Sequence, residues 1–393
     1  MKKKICFVLD QFLYGGIERV AINYLNGIDK AKFDIDVIIL SNVEEMINQI
    51  PKECNVIKID IPRNHNPLSR ASIMVKRDAG AILYYGTYIL KRCFIYPIDK
   101  IKTNKLREKK YDVAIAFSGH LNDSYVVLEH IKAAKKIVWA HGLIYQYLLI
   151  SPAFEKMYKK FDKIVSINHI DQNDIFYCKP YLKYDIVNIY NPTYRTKKAS
   201  DEDLGKKYGK YILSVARLEE PKDFITLIEA YNKLSNDIKK EYNLVIVGDG
   251  PDREKIKNRI EKLNLNKKVF MVGAQSDVDT YYQHADLFVL STKSEGLGMV
   301  IIEAMGNGCP VISTDAPYGP REILGSNDYG ILCPVGDSEK MSVAIEELLN
   351  DKQKRKKFIE KGLVRYKDFE IDTIMKQFYD LVGRIIWTSV NWV

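Results

Sequence analysis

Residues 294–306, Ser-Glu-Gly-Leu-Gly-Met-Val-Ile-Ile-Glu-Ala-Met-Gly, place two carboxylates, Glu295 and Glu303, on either side of two glycines and the start of an apolar helical run. Glycines at 296 and 298 let backbone approach a ligand closely. The amides of Gly298, Met299 and Val300 would then point from a helix N-terminus, where a diphosphate is well held. With Glu295 in the loop and Glu303 in the helix, the two cannot share one proton; they suit opposite ends of an extended ligand, such as a sugar hydroxyl and a ribose hydroxyl. Taken alone, the same spacing also fits a loop charge and a solvated helix residue. Two histidines stand at expected strand ends, His141 in Trp139-Ala-His-Gly142 and His120 in Phe117-Ser-Gly-His. A histidine there is either a satisfied structural residue or a ligand contact. The triplets Asp34-Ile-Asp36 and Asp277-Val-Asp279 can hold a divalent ion, but the first precedes an expected strand and the second caps an expected helix, so no metal site is expected.

The elements that must position these residues alternate short apolar runs with amphipathic segments, the pattern of βαβ units around a parallel sheet. Strands are expected at 5–9, 36–40, 56–61, 113–117, 136–140, 163–167 and 185–189, with a helix after Gly15-Gly16 whose Ile17, Val20, Ala21, Tyr24, Leu25 and Ile28 fall at helical spacing. Residues 191–210 are polar and broken by Pro and Gly, as a connector is. A second series follows, with strands at 211–216, 244–247, 269–272, 287–290 and 311–313 and helices near 223, 253, 281 and 299. The fold class is therefore α/β, with two Rossmann-like domains at 1–195 and 196–369. An amphipathic helix closes the chain, carrying Ile371, Ile374, Phe378, Leu381 and Ile385.

The 393 residues are 46% hydrophobic and 28% charged, which excludes a disordered chain. Residues 1–195 carry a net charge of +10 and the remainder −1, so the first half is expected to face something anionic, nucleic acid or a membrane surface. Within residues 62–110, cations such as Arg63, Arg70, Lys91 and Lys109 interleave with Tyr84, Tyr85, Phe94 and Tyr96. That mixture suits a peripheral helix on an anionic bilayer, and no nucleic-acid module is visible. The apolar run 5–9 ends at Asp10, too soon for a signal peptide, and 79–90 falls short of the roughly 20 residues of a spanning helix. The six cysteines form no CxxC or Cys/His ligand run and read as small buried hydrophobes of a reducing cytoplasm.

Several motifs stand in a fixed order: Ser214-Val-Ala-Arg217-Leu-Glu-Glu-Pro-Lys222, Val245-Ile-Val-Gly248-Asp-Gly250-Pro, Val269-Phe-Met-Val-Gly273, Glu295 to Glu303, and Gly308-Cys-Pro-Val-Ile-Ser-Thr-Asp315. In this order and spacing the chain resembles retaining glycosyltransferases of the GT-B fold, family 4, and the loop Gly15-Gly16-Ile17-Glu18-Arg19 is similar to that family's glycine loop. The resemblance implies two domains facing a deep cleft, the first binding the acceptor and the second the nucleotide sugar, with segment 370–393 packing back on the first. It implies that Arg217 and Lys222 clamp the diphosphate, that Glu303 binds the ribose and that Glu295 meets the donor sugar. Gly16, Gly248, Gly273, Ala274, Gly298, Met299 and Val300 would line the nucleotide sugar, and His141 or His120 would face donor sugar or acceptor. Tyr318-Gly-Pro-Arg-Glu322 looks like a segment of members acting on surface polysaccharides and lipid-linked oligosaccharides.

Arg217 and Lys222 supply cations where negative charge grows on a departing diphosphate, so no metal is required. The expectation is a cytoplasmic, metal-independent, retaining transferase, peripheral on the inner membrane face. It would move a hexose or N-acetylhexosamine from a UDP-sugar to a carbohydrate or lipid-linked acceptor, with no cofactor. The alternatives are a UDP-sugar epimerase and a non-catalytic GT-B partner subunit. An intact Arg217, Lys222, Glu295 and Glu303 set argues against both.

Overall fold

The computed structural model describes residues 2–13, 15–41, 46–59, 103–150, 152–178, 184–194 and 204–387. The basic and aromatic stretch expected to meet a membrane lies mostly outside these residues, in 60–102. The chain divides into two compact units, Met1–Pro192 with Ile371–Val393, and Thr193–Glu370.

In the first unit a seven-stranded sheet is built from β1 (Lys3–Leu9), β2 (Phe33–Ile39), β3 (Asn55–Lys58), β4 (Lys110–Ala116), β5 (Lys132–Ala140), β6 (Lys163–Ser166) and β7 (Ile186–Asn188), in the order β3-β2-β1-β4-β5-β6-β7. Every pairing is parallel. The central strands are apolar because helices cover both faces: Ile5 to Leu9 and Val113 to Ala116 are fully buried. In the second unit β8 (Lys210–Val215), β9 (Tyr242–Val247), β10 (Val269–Gly273), β11 (Leu287–Leu290), β12 (Val311–Thr314) and β13 (Ile331–Cys333) form a parallel six-stranded sheet in the order β10-β9-β8-β11-β12-β13. Both orders follow the doubly wound scheme, in which strands are added outward in one direction up to β3 or β10 and then in the other, the switch falling between β1 and β4 and between β8 and β11. Loops leaving the carboxyl ends of those strand pairs diverge and open a crevice.

The last helix, Ile371–Trp387, belongs to the first unit. Its Phe378 sits among Phe7, Tyr24 and Trp139, with ring centroids 6.3, 5.6 and 6.3 Å away. Its Tyr379 hydroxyl accepts the Asp29 amide at 2.8 Å and donates to the Gly27 carbonyl at 3.2 Å. A side chain at Gly27 would run into Ile371 and Met375, so glycine there lets the two helices approach.

Two expectations need correction. Asp34-Ile-Asp36 does not precede a strand but lies within β2, where Asp36 accepts from Lys109 Nζ at 2.8 Å, Tyr111 Oη at 2.6 Å and Asn55 Nδ2 at 2.8 Å. Strand β13 was not anticipated; at three residues it carries too little pattern to be seen.

Candidate active site

In the second unit the chemistry gathers at the β8/β11 reversal. Arg217 follows β8 by two positions, and Lys222 ends a short 3₁₀ turn, Glu220–Lys222, that leads into the helix Phe224–Lys233. Glu295 lies in the loop after β11. Lys222 Nζ donates to Glu295 Oε1 at 2.5 Å, with only 18% and 13% of the two side chains exposed. The backbone on both sides holds this pair. The Lys293 amide and the Thr292 hydroxyl donate to the Pro221 carbonyl at 2.8 and 3.0 Å, and Ser291 Oγ donates to the carbonyls of Lys222 and Asp223 at 3.3 and 3.0 Å. Glu295 also bridges in parallel to Tyr318, a non-glycine residue at φ 74°. Backbone strain at such a residue persists only where its surroundings over-determine it.

Arg217 does not join the pair. Its side chain is 70% exposed, with Nε 3.5 Å from Glu219 Oε2. Gly298 caps the helix Met299–Gly306 at φ 91°, a left-handed conformation that glycine adopts without cost, and it is buried. The first-turn amides at Met299 and Val300 have no intrahelical acceptor and face away from the helix body, an electropositive end for an anion. Glu303, farther along and half-buried, accepts a hydrogen bond from the buried Tyr282 hydroxyl at 3.2 Å. Gly248 follows β9 at φ 139°, and a Cβ there would collide with the Ala216 carbonyl oxygen. Its amide donates to the Gly273 carbonyl at 2.9 Å, which draws the ends of β9 and β10 together, and Ala274 is exposed just beyond. Asp277 accepts from the Thr280 amide at 3.2 Å and hydroxyl at 2.6 Å at the start of the helix Asp279–His284, while Asp279 accepts from Asn307 Nδ2 at 2.8 Å.

The first unit has its own cluster at the β1/β4 reversal. Gly16 opens the helix Gly16–Gly27, and the buried Glu18 lies in its first turn. Burial raises the Glu18 carboxyl above its ordinary range. Asp10 directly follows β1, and His120, at the mouth of the helix Leu121–His130, brings Nδ1 to 3.5 Å from Asp10 Oδ2. The hydrogen bond to Asp10, reinforced by the Asp123 and Glu18 carboxylates against the cost of burial, raises the His120 pKa. Asp123 is fully buried and accepts the Gly119 amide at 2.9 Å. Burial first, and Asp10 next, push its carboxyl up to about 7. His141 follows β5, its ring 4.9 Å from that of Phe117, with both nitrogens buried and no hydrogen-bond partner for either. Burial, and then the nearby His120, push its pKa down to about 3, against an opposing backbone contribution from Phe117. His141 is thus a neutral imidazole, whereas His120 holds its proton more tightly than an ordinary histidine.

Sequence reasoning singled out both histidines but not Asp10, Glu18 or Asp123 as their neighbours. The signal available was a charged residue directly after a buried strand, which Asp10 is.

Two doubly wound sheets, with a cation–carboxylate pair and a helix N-terminus at one switch point and an imidazole–carboxylate cluster at the other, define a GT-B protein. Residues 196–365 match the family model Glycosyl transferases group 1. An uncharacterized glycosyltransferase of Haemophilus influenzae is 25% identical over 392 residues, covering 96% of this chain and 99% of its own. The Campylobacter jejuni N-acetylgalactosamine-N,N'-diacetylbacillosaminyl-diphospho-undecaprenol 4-alpha-N-acetylgalactosaminyltransferase is 34% identical over 169 residues, 43% of this chain and 45% of its own. Among solved structures, Anabaena HepE in complex with UDP-glucose superposes with a TM-score of 0.74 at 18% identity, over 97% of this chain and 99% of that one. The protein is a glycosyltransferase.

Proposed function

We propose that the protein transfers a hexose or N-acetylhexosamine from a UDP-sugar to a glycan or lipid-linked acceptor in bacterial envelope assembly, with retention and without a metal. The observation that carries this reading is the half-buried Lys222–Glu295 pair beside the helix N-terminus at Gly298. A diphosphate drawn to the first-turn amides competes with Glu295 for Lys222, and the carboxylate so released is available to a sugar hydroxyl. Arg217, exposed beside Glu219, reaches the same anion as a planar fork. Glu303 takes the ribose, with Tyr282 orienting its carboxylate. Gly273 and Ala274, open at the end of β10, leave room for the nucleotide sugar's backbone contacts, and Gly248 packs the end of β9 against Ala216 beside them. The cations do the work that a metal does elsewhere, by stabilising charge that grows as the anomeric bond breaks.

UDP as the nucleotide is supported by the UDP-glucose complex of HepE, and a lipid-linked acceptor by the undecaprenol-linked substrate in the Campylobacter relative's name. Such an acceptor places the work at the cytoplasmic face of a membrane. The test is UDP release from UDP-glucose, UDP-N-acetylglucosamine and UDP-N-acetylgalactosamine, each with octyl glycosides of the same sugars and with chelator present. Wild type should release UDP in an acceptor-dependent way. Arg217→Ala and Glu295→Ala should each lose at least about 2 kcal/mol of transition-state stabilisation, roughly thirtyfold in kcat/KM. Equal release by wild type and both variants would remove these residues from the site, and a new epimer formed without acceptor would make the protein an epimerase.

A further inference from the structure

Two loops of the second unit, one leaving β11 and one leaving β12, are tied together at three successive points. The Thr292 amide donates to the hydroxyl of Thr314, the last residue of β12, at 2.8 Å, and that hydroxyl donates to the Thr292 carbonyl at 2.5 Å. Glu295 and Tyr318 form an isolated parallel bridge. Gly319 packs so closely on Leu297 that a Cβ there would stand 2.4 Å from the Leu297 carbonyl oxygen. The loop that carries Glu295 therefore takes its position from the loop that carries Tyr318.

That second loop is strained. Tyr318 lies at φ 74° and ψ −89°, close to the rarer form of the γ-turn. A residue with a Cβ leaves such a conformation unless its neighbours hold it there. Arg321 forks Asp315 across the turn, donating from Nε to Oδ1 at 2.9 Å and from Nη2 to Oδ2. The Asp315 amide donates to the Cys333 carbonyl at 2.6 Å, which fixes the near end of the turn to β13. At the far end the helix Gly319–Leu324 begins with Gly319 and Pro320 buried, and Arg365 donates to the Glu322 and Ile323 carbonyls at 2.8 and 3.3 Å. The Arg321 side chain is 58% exposed, and an ion pair so placed adds little to global stability. What it supplies is geometry, two parallel hydrogen bonds that close the turn on itself.

We propose that Tyr318 is a positioning residue: the strained turn that it centres, braced by Arg321 on Asp315, sets the backbone of Glu295 and so the point at which that carboxylate meets the donor sugar. This rests on the reading of Glu295 as a contact of the donor sugar. Glu295 is fixed from two directions, by Lys222 at its carboxylate and by Tyr318 at its backbone, all within one unit. A tyrosine at this φ has the one conformation that its neighbours enforce, whereas a glycine reaches it without cost and others besides. A misplacement of about 1 Å can cost about 10²-fold in rate, so a loosened turn is read in catalysis before it is read in stability.

The experiment uses the full chain and the donor–octyl glycoside pairs named above. Arg321→Ala and Tyr318→Gly should each lower kcat/KM for the donor by about 10- to 100-fold. The inhibition constant of UDP, which has no sugar for Glu295 to meet, should stay within about threefold of wild type. Tyr318→Phe, whose backbone meets the same constraints, should keep kcat/KM within about threefold. Arg321, being exposed, serves where a Tyr318 variant fails to fold. A double-mutant cycle decides whether the turn acts through Glu295: in a Glu295→Ala background, Arg321→Ala should change kcat/KM by less than about twofold. If it costs as much there as in wild type, or if neither turn variant lowers kcat/KM, the proposal falls while the transferase reading stands. A loss in Tyr318→Phe equal to that in Tyr318→Gly would make the hydroxyl a contact in its own right and overturn it as well. If Glu295→Ala itself releases UDP as wild type does, the reading of the site fails and the positioning role with it.

Discussion

At the scale of single residues, ionisation is set by burial as much as by neighbours, and Asp123 makes that measurable. Its carboxyl is fully buried, accepts one backbone N–H at 2.9 Å, and is raised from 3.8 to about 7. The folded protein therefore holds this proton more tightly than the unfolded chain. That contribution to stability is fully present below about pH 4 and is lost as pH rises through about 7. Asp123→Asn has no such proton to lose. Variant minus wild-type urea midpoints should grow more positive between about pH 5 and pH 8, and a difference independent of pH would refute the assignment. Glu295 and Lys222 could be singled out from their motifs, because a carboxylate before Gly-x-Gly and a lysine after Glu-Pro are local facts. Asp10 and Asp123 were not, since nothing in the neighbouring sequence says that a histidine about 110 positions away will share the space of Asp10.

At the scale of elements, buried parallel strands announce themselves as apolar runs, and most strand positions could be read to within a few residues. The structure lengthens several at their amino ends, where Lys3, Lys110 and Lys132 join the ladders despite their charge. The hydrogen-bonded partner strand, not side-chain pattern, decides such ends. The helix Ile371–Trp387 was legible as amphipathic, while the surface it covers is a matter of tertiary structure. Phe378 fills the aromatic cluster of Phe7, Tyr24 and Trp139. Removing a buried phenylalanine of this kind costs about 3–5 kcal/mol. Deleting residues 371–393 removes Trp387 and Trp392 and leaves Trp139 as the only tryptophan of the three. The emission of the deletion variant should be red-shifted and its urea midpoint well below that of wild type followed by far-UV signal. An unshifted Trp139 with an unchanged midpoint would show that the helix does not support the first unit.

At the scale of the whole molecule, the charge difference between halves, +10 for residues 1–195 against −1 for the rest, predicts a partner for the first half. With the lipid-linked acceptor proposed above, an anionic bilayer would be the fitting one. No helix among the described residues is long and apolar enough to cross a membrane, so such binding would be interfacial and electrostatic. Co-sedimentation should occur with phosphatidylserine-containing vesicles and weaken as salt approaches about 0.5 M, where screening shortens below 5 Å. Equal pelleting with phosphatidylcholine vesicles, or none with either, would sink the idea.

The sequence by itself determined the local elements, their α/β alternation and the residues with chemistry to offer, because strand burial, helical spacing and loop glycines act over a few neighbouring positions. Only the tertiary structure decided which of those residues meet. Lys222 reaches Glu295 across 73 positions and His120 reaches Asp10 across the unit, because a doubly wound parallel sheet reverses its winding beside its first strand. The loops on either side of that reversal are far apart in the chain and adjacent in space, and that adjacency is a property of strand order alone.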